Sequence, residues 1–587
     1  MKRIAILFII GLLPMITYAQ AFVKYENMNE VDEMIMTSKM LKMLAKVDFS
    51  EEDEEAQQYI RLIENLDEIR MFTSSNSQVR TEMARDVDNY LKNGSLELLM
   101  RVNENGKKII FYSKPGKNEN VVSELFMFLE GQEDGEPISV ILSLTGDIDL
   151  SQLSRLTKHL KVPGANELND FLDDFDSPED LFYDGLVYDY GNQDRFSFMT
   201  DDFIALKERF AGTSTTTGMN YGFSYHPNDN TKVLLYVRYV QPNTSAADAG
   251  IERGMIFSKV DGEVMTPANY GSLVRPENFT LHQAEFDENM DVIDLEETYD
   301  LSKAQYTANP VYITKTLDVD GKKVGYLMYN SFTANFDDEL NAAFAGFQSE
   351  GVDELILDLR YNGGGSVESA VDLGSMITGQ FEGEIFSQQQ WNPSYQRYFE
   401  DNSPENLVDK FNTKIRNGDL ITSLNLEKVY IIAGRSSASA SELTINGLDA
   451  WIDVVHVGQN TVGKFQASVT LYDSDNFGEQ NANPDHKYAI QPLVYKSANA
   501  LGNSDYVDGL VPDIEVNEYI NEYKPLGDPS EPLLAAALDD IKGVKKASYL
   551  SKSPELEVLD EAGSEAPEFQ EMFTDEIPPV LFERDNY

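Results

Sequence analysis

An α/β multidomain architecture is the fold class this sequence predicts, with an α+β N-terminal domain ahead of a βαβ core. Three observations predict it. Val324–Tyr329 and Glu354–Leu359 read as buried strands, and the helical spacing of Phe336 to Phe347 separates them, which is the alternation of a mainly parallel sheet. Leu96–Val102 and Lys108–Ser113 flank Asn103-Glu104-Asn105-Gly106, a hairpin signal. The length of 587 residues suits three or four domains at ~150 residues each.

In chain order, residues 1–20 read as a signal peptide. Lys2 and Arg3 precede the apolar run Ile4–Met15, and small residues follow near Ala19. That run is too short to favour a membrane span. With no cysteine there is no disulfide framework and no lipid-anchor thiol. The mature chain is therefore expected to be periplasmic or extracellular. Residues 21–166 form the α+β domain: a helix over Met34–Leu44, a strand at Ile69–Thr73, the hairpin, strands at Val121–Leu129 and Ile138–Leu144, and a closing helix over Leu150–Leu160. They carry no catalytic constellation. Residues 167–212 are a helical, acidic connecting segment, 213–305 a second domain and 309–541 the core. From 551 to 587 eleven Asp/Glu face only Lys552 and Arg584, so this tail is expected to be disordered.

A net charge of −53 argues against nucleic acid or anionic membrane as partner. Asp473-Ser474-Asp475-Asn476-Phe477-Gly478 lacks the ligand pattern of a calcium loop, and no metal or organic cofactor is expected.

The chemistry centres on Arg435–Lys464. A buried strand, Val429–Ala433, leads into Arg435-Ser436-Ser437-Ala438-Ser439-Ala440-Ser441-Glu442, and Leu443, Ile445, Leu448 and Trp451 then recur at helical spacing. A serine at such a turn lies beside helix-terminal N–H groups that can hold an oxyanion. It needs a base, and His159, His226, His282, His456 and His486 all lie outside Gly- or Ser-rich motifs. Lys464, after a second apolar strand at Asp453–Gly458 and after Gly463, is the better candidate, because burial lowers a lysine's pKa. At the end of the strand 354–359 come Gly363, Gly364 and Gly365, which let backbone approach backbone and can aim an N–H at an oxyanion.

Ser-Ala-Ser-Ala-Ser-Glu followed by Thr-x-Gly-Lys resembles the serine/lysine dyad of the tail-specific, or carboxy-terminal processing, proteases. The resemblance covers residues 170 to 541 and implies a ClpP/crotonase-like catalytic core. It implies Ser439, three before Glu442, as nucleophile, and Lys464, 464 − 439 = 25 residues later, as base. Asp358-Leu359-Arg360-Tyr361-Asn362-Gly363-Gly364 matches the family motif whose glycine amide joins the amide after the nucleophile, here Gly364 or Gly365 with Ala440. The family glutamine lies four residues after its lysine. Here that position is Ser468, and a glutamine stands at Gln466; both share a strand face with Lys464, and either is a candidate to orient it.

Thr216–Phe223 and Val240–Ile256 resemble the carboxylate-binding loop and helix of a PDZ domain. That implies β-augmentation by a substrate tail along Tyr221, Gly222 and Phe223. Backbone amides are expected to supply the carboxylate affinity, since only Lys232 and Arg238 are near in sequence. Residues 21–166 resemble an uncharacterised domain of small secreted bacterial proteins. The reading is a secreted serine endopeptidase acting on protein or peptide substrates; its rival is a catalytically silent peptide-binding scaffold of the cell envelope.

Overall fold

The computed structural model describes residues 22–40, 65–93, 96–104, 107–118, 121–133, 136–149, 175, 177–544, 556–561, 563–564, 566 and 568–579. The expected signal peptide and the helix over Leu150–Leu160 lie outside the described residues. The chain divides into two compact units, Met1–Leu181 with Val580–Tyr587, and Phe182–Pro579.

In the first unit, β1 (Asp32–Thr37), β2 (Leu66–Ser74), β3 (Glu97–Glu104), β4 (Lys107–Asn118), β5 (Val121–Glu133) and β6 (Glu136–Asp149) form a sheet in the order β1-β2-β6-β5-β4-β3. Helix α1 (Ser77–Asn93) follows β2. Asn76 caps it, its Oδ1 accepting from the amides of Gln78 and Val79. Val79, Met83, Val87 and Tyr90 fall on one helical stripe and pack with Phe72, Phe126 and Phe128. The expected helix over Met34–Leu44 is replaced at 34–37 by β1, and only Ser38–Met40 is helical among its described residues. Met34-Ile35-Met36 fits either period, and six antiparallel pairings on the edge of β2 decide for the strand.

The second unit carries two structures. A sheet is built from β7 (Met219–His226), β8 (Asp229–Val240), β9 (Ile256–Val260), β10 (Asn278–Phe286) and β11 (Val292–Ser302), running β11-β10-β9-β8-β7. After it come β12 (Val311–Val319), β13 (Lys322–Tyr329), α2 (Asp337–Glu350), β14 (Glu354–Asp358), β15 (Gly365–Ser366), α3 (Val367–Thr378), β16 (Ile385–Trp391), β17 (Val408–Lys410), β18 (Lys428–Ala433), α4 (Ala440–Asp449), β19 (Asp453–Gly458), β20 (Gln466–Ser468), β21 (Leu493–Asn499), β22 (Ile514–Glu515), α5 (Pro532–Ile541), β23 (Val558–Glu561) and β24 (Met572–Phe573). The central sheet runs β12-β13-β14-β18-β19-β22, parallel from β13 to β22. Such a sheet is buried on both faces, which is why its strands read as unbroken apolar runs. Leu327, Leu357 and Ile431 pack against α2, α3 and α4, while Tyr326, Ile356 and Ile432 pack against Leu534 and Leu538 of α5.

The tail departs from expectation. Its described part is folded onto the second unit: β23 extends the first sheet beside β7, and β24 lies between β15 and β20 in a sheet ordered β15-β24-β20-β21-β16-β17. Composition counts its acids as mutually repelling. The structure instead buries Leu556 and Met572 and supplies Glu561 and Glu571 with cations.

Candidate active site

Strand β18 ends at Ala433, and the chain turns through Gly434–Ala438 before α4 begins at Ala440. Ser437 ties this turn down, its Oγ donating to the Leu359 carbonyl and accepting from the Gly434 amide. Ser439 sits at the corner with φ +60°, a left-handed conformation that is strained for a side chain other than glycine. That strain is held by Glu442, one turn into α4. Its fully buried carboxylate accepts from the Ser439 amide at 2.9 Å, the Gly463 amide at 2.7 Å, the Lys464 amide at 2.8 Å and the Thr461 hydroxyl. One carboxylate thus fixes the two loops that carry Ser439 and Lys464. Burial raises the Glu442 pKa, and these four hydrogen bonds oppose the rise.

Lys464 is completely buried, with its Nζ 4.8 Å from the centre of the Phe196 ring. Burial lowers its pKa, and the charge of Glu571 resists the fall. Nζ lies 2.6 Å from Glu571 Oε2, an ion pair without the alignment of a hydrogen bond. Burial raises the pKa of Glu571 in turn, against the pull of Lys464 and Ser468. Ser439 Oγ donates to the Gln570 carbonyl at 2.7 Å, and among the described residues no hydrogen bond joins Ser439 to Lys464.

The glycine loop is anchored from below. Arg360 is buried between Asp358, Glu531 and Glu518, each within 2.9 Å. Asn362 accepts from the Ser441 hydroxyl through its carbonyl. Gly364 has φ +118°, and a Cβ there would come within 2.5 Å of Ser439 Cβ, so only glycine fits. The structure brings Gly364, Ser439 and Ala440 together, but the Gly364 amide donates to Asn362 Oδ1 at 2.9 Å in this arrangement.

Gln466 makes no hydrogen bond to Lys464, and its Oε1 is buried without a partner. Ser468 reaches the lysine through Glu571: its hydroxyl is bonded to that carboxylate and to the Met572 carbonyl, and it accepts from Gln491 Nε2 at 3.1 Å. Phe196, Gln491, Gln570 and Glu571 were not singled out by sequence as site residues. The first two lie in Asp194-Arg195-Phe196-Ser197 and Tyr488-Ala489-Ile490-Gln491-Pro492, two runs within the 170–541 span of the family resemblance, and that resemblance is the signal the sequence offers for them.

Tyr221, Gly222 and Phe223 lie in β7, whose free edge pairs with β23 of the chain's own tail. Gly222 takes an ordinary strand conformation, and the space beside it is filled by the Tyr236 ring. Arg238 binds the side-chain carboxylate of Glu561, on the strand paired with β7, through two hydrogen bonds of 2.7 and 2.9 Å. Spacing along the sequence could not show that Arg238 is nine-tenths buried and faces the β7 edge partner.

The site thus sets a fully buried lysine and a serine of strained backbone on two loops joined by one carboxylate. Residues 323–516 match peptidase family S41, and residues 25–156 match a domain of unknown function, DUF4252. The chain carries a peptidase S41 domain behind an N-terminal DUF4252 domain. A carboxyl-terminal-processing protease of Picosynechococcus is 25% identical over 331 residues, 55% of this chain and 71% of the relative. A tail-specific protease of Haemophilus influenzae is 28% identical over 219 residues, covering 36% of this chain and 27% of the relative. A crystal structure assigned as an S41 protease from Bacteroides fragilis superposes with a TM-score of 0.53 at 27% identity, over 64% of this chain and 92% of that one.

Proposed function

We propose that this chain is a secreted serine endopeptidase that cleaves polypeptides with Ser439 as nucleophile and Lys464 as general base. The observation that carries the reading is the Glu442 carboxylate, which binds the amides of both residues and so sets their separation. In the neutral form Lys464 takes the Ser439 proton as Oγ attacks the scissile carbonyl, and it returns that proton to the leaving amine. The oxyanion falls to the amides of Ala440 and of Gly364 or Gly365, once the Asn362 contact on Gly364 is exchanged for substrate. Recognition falls to the β7 edge, where an extended peptide adds as a strand. Among the described residues no helix is long and apolar enough to cross a membrane.

The test is covalent labelling of the full chain by a fluorophosphonate, with the adduct mapped by peptide mass. Labelling at Ser439 that disappears in Ser439→Ala and falls sharply in Lys464→Ala is expected. Absence of labelling in every form, with the β7 edge still binding peptide, would favour the silent scaffold.

A further inference from the structure

The described tail touches both the β7 edge and the proposed catalytic centre. Strand β23 runs antiparallel to β7, pairing Val558 with Ser224, Asp560 with Phe223 and Glu561 with Gly222. The Tyr225 amide donates to the Glu557 carbonyl, and the Tyr270 hydroxyl to Asp560. Leu559 packs into the apolar core beneath β7. Glu561 is held by Arg238 and by the Ser436 hydroxyl at 2.8 Å, and Arg238 keeps its carboxyl below the ordinary range despite burial. The segment then reaches the serine. Glu568 pairs with Arg209, the Gln570 carbonyl accepts from Ser439 Oγ, and Glu571 pairs with Lys464. Beyond that point β24 lies between the glycine loop and β20, the Thr574 amide donates to the Ser468 carbonyl, and the Phe573 ring stacks on Phe210 at 4.2 Å.

We infer that residues 556–579 are a tethered inhibitor that occupies both the β7 edge and the proposed catalytic centre of its own chain. The inference rests on the assignment of Ser439 and Lys464 as the working pair. Three details mark the segment as an inhibitor rather than a substrate poised for cleavage. Ser439 donates its proton to the carbonyl oxygen, so the nucleophile is spent on the atom an oxyanion hole should hold. Gln570 has φ +62°, a kink at the residue whose carbonyl meets the serine, whereas a strand-bound substrate is extended there. The Glu571 carboxylate stands against the ammonium that would have to lose its proton. A tethered segment acts at millimolar effective concentration, so contacts that are weak singly can exclude a substrate present at micromolar levels.

The experiment releases the tail without touching the proposed catalytic groups. Leu559→Asp removes the apolar anchor, and Glu561→Gln weakens the Arg238 pair. Hydrogen exchange of peptides spanning 556–561 and 568–575 reports whether the tail has left, and the rate of fluorophosphonate labelling at Ser439 reports whether the site has opened. Exchange should rise in both variants, and labelling should quicken on the order of tenfold or more. A synthetic peptide of residues 556–579, added in trans, should slow the released variants again. A released tail with labelling at the wild-type rate overturns the inhibitor inference and leaves the peptidase assignment standing. A released tail with no labelling at Ser439 overturns the peptidase assignment itself.

Discussion

Glu442 and Glu571 meet at the same loop from two regions of the chain, and they are buried in opposite ways. Glu442, in the α4 turn, has no cation among its hydrogen-bond partners; three backbone amides and a hydroxyl neutralise it, and all belong to the loops it joins. Glu571, in the tail, has a fully buried ammonium and one serine hydroxyl. A carboxylate satisfied by backbone amides holds a fixed geometry, because the amides cannot rotate away. A carboxylate held only by side chains, here an ammonium and a hydroxyl, can leave, provided something else takes its place beside the buried cation. The first glutamate is part of the site, and the second is a visitor to it.

The comparison can be broken most severely at the pair that both glutamates serve. Ser439→Ala and Lys464→Ala are each expected to lower peptide hydrolysis on the order of 10³-fold or more, with the double variant no worse than either single one, because the groups act as a unit. Full activity in Lys464→Ala, measured on a fluorogenic peptide, would end the dyad assignment. Next in size is Glu442→Ala. It leaves three amides and the Thr461 hydroxyl without their acceptor, and at about 1–3 kcal/mol for each buried orphan the second unit should lose at least about 4 kcal/mol of stability as well as its activity. Urea unfolding with unchanged slope and midpoint would refute that role.

Glu571→Gln sharpens the contrast by moving activity the other way. Lys464 works as a base only when neutral, so activity should rise with pH through its lowered pKa. The Glu571 charge raises that pKa, and removing it should shift the rising limb to lower pH and increase activity at neutral pH. A pH profile that does not move in Glu571→Gln would show that this carboxylate does not control the lysine. The smallest effects belong to the two strand positions after the lysine. Gln466→Ala should stay within about 0.5 kcal/mol of wild type in stability and leave the pH profile alone. Ser468→Ala, which removes a hydroxyl shared by Glu571 and Gln491, should reproduce a fraction of the Glu571→Gln shift. The reverse ranking in parallel pH titrations would restore Gln466 as the residue that orients Lys464.

The serine turn was legible in sequence because its determinants are local: an apolar strand, small residues at a corner, a glutamate one turn into the helix, and a glycine before the lysine. The central parallel sheet was legible for a similar reason, since burial on both faces leaves unbroken apolar runs such as Leu355–Leu357. The tail was not. Its acids read as repulsion until Arg238 and Lys464, 323 and 107 residues away from Glu561 and Glu571, are known to face them. The strand at Met34–Met36 was hidden differently, because three consecutive apolar residues carry no period and the edge of β2 chooses the structure for them. Helix α1, by contrast, shows its stripe of Val79, Met83, Val87 and Tyr90 in the sequence itself, at spacings of three and four.

The slot filled by β24 has one further consequence. Met572 and Phe573 sit between Gly365–Ser366 and Gln466–Ser468, so β15 joins the six-stranded sheet only through them. A polypeptide that enters this slot performs an exchange reaction: one strand departs as another arrives, and the count of main-chain hydrogen bonds is nearly the same before and after. Backbone pairing then contributes little net driving force to capture. Discrimination among incoming chains shifts to the side chains that must displace Glu571, Met572 and Phe573, and a polypeptide that matches only part of that run is turned away by a competitor that is never diluted.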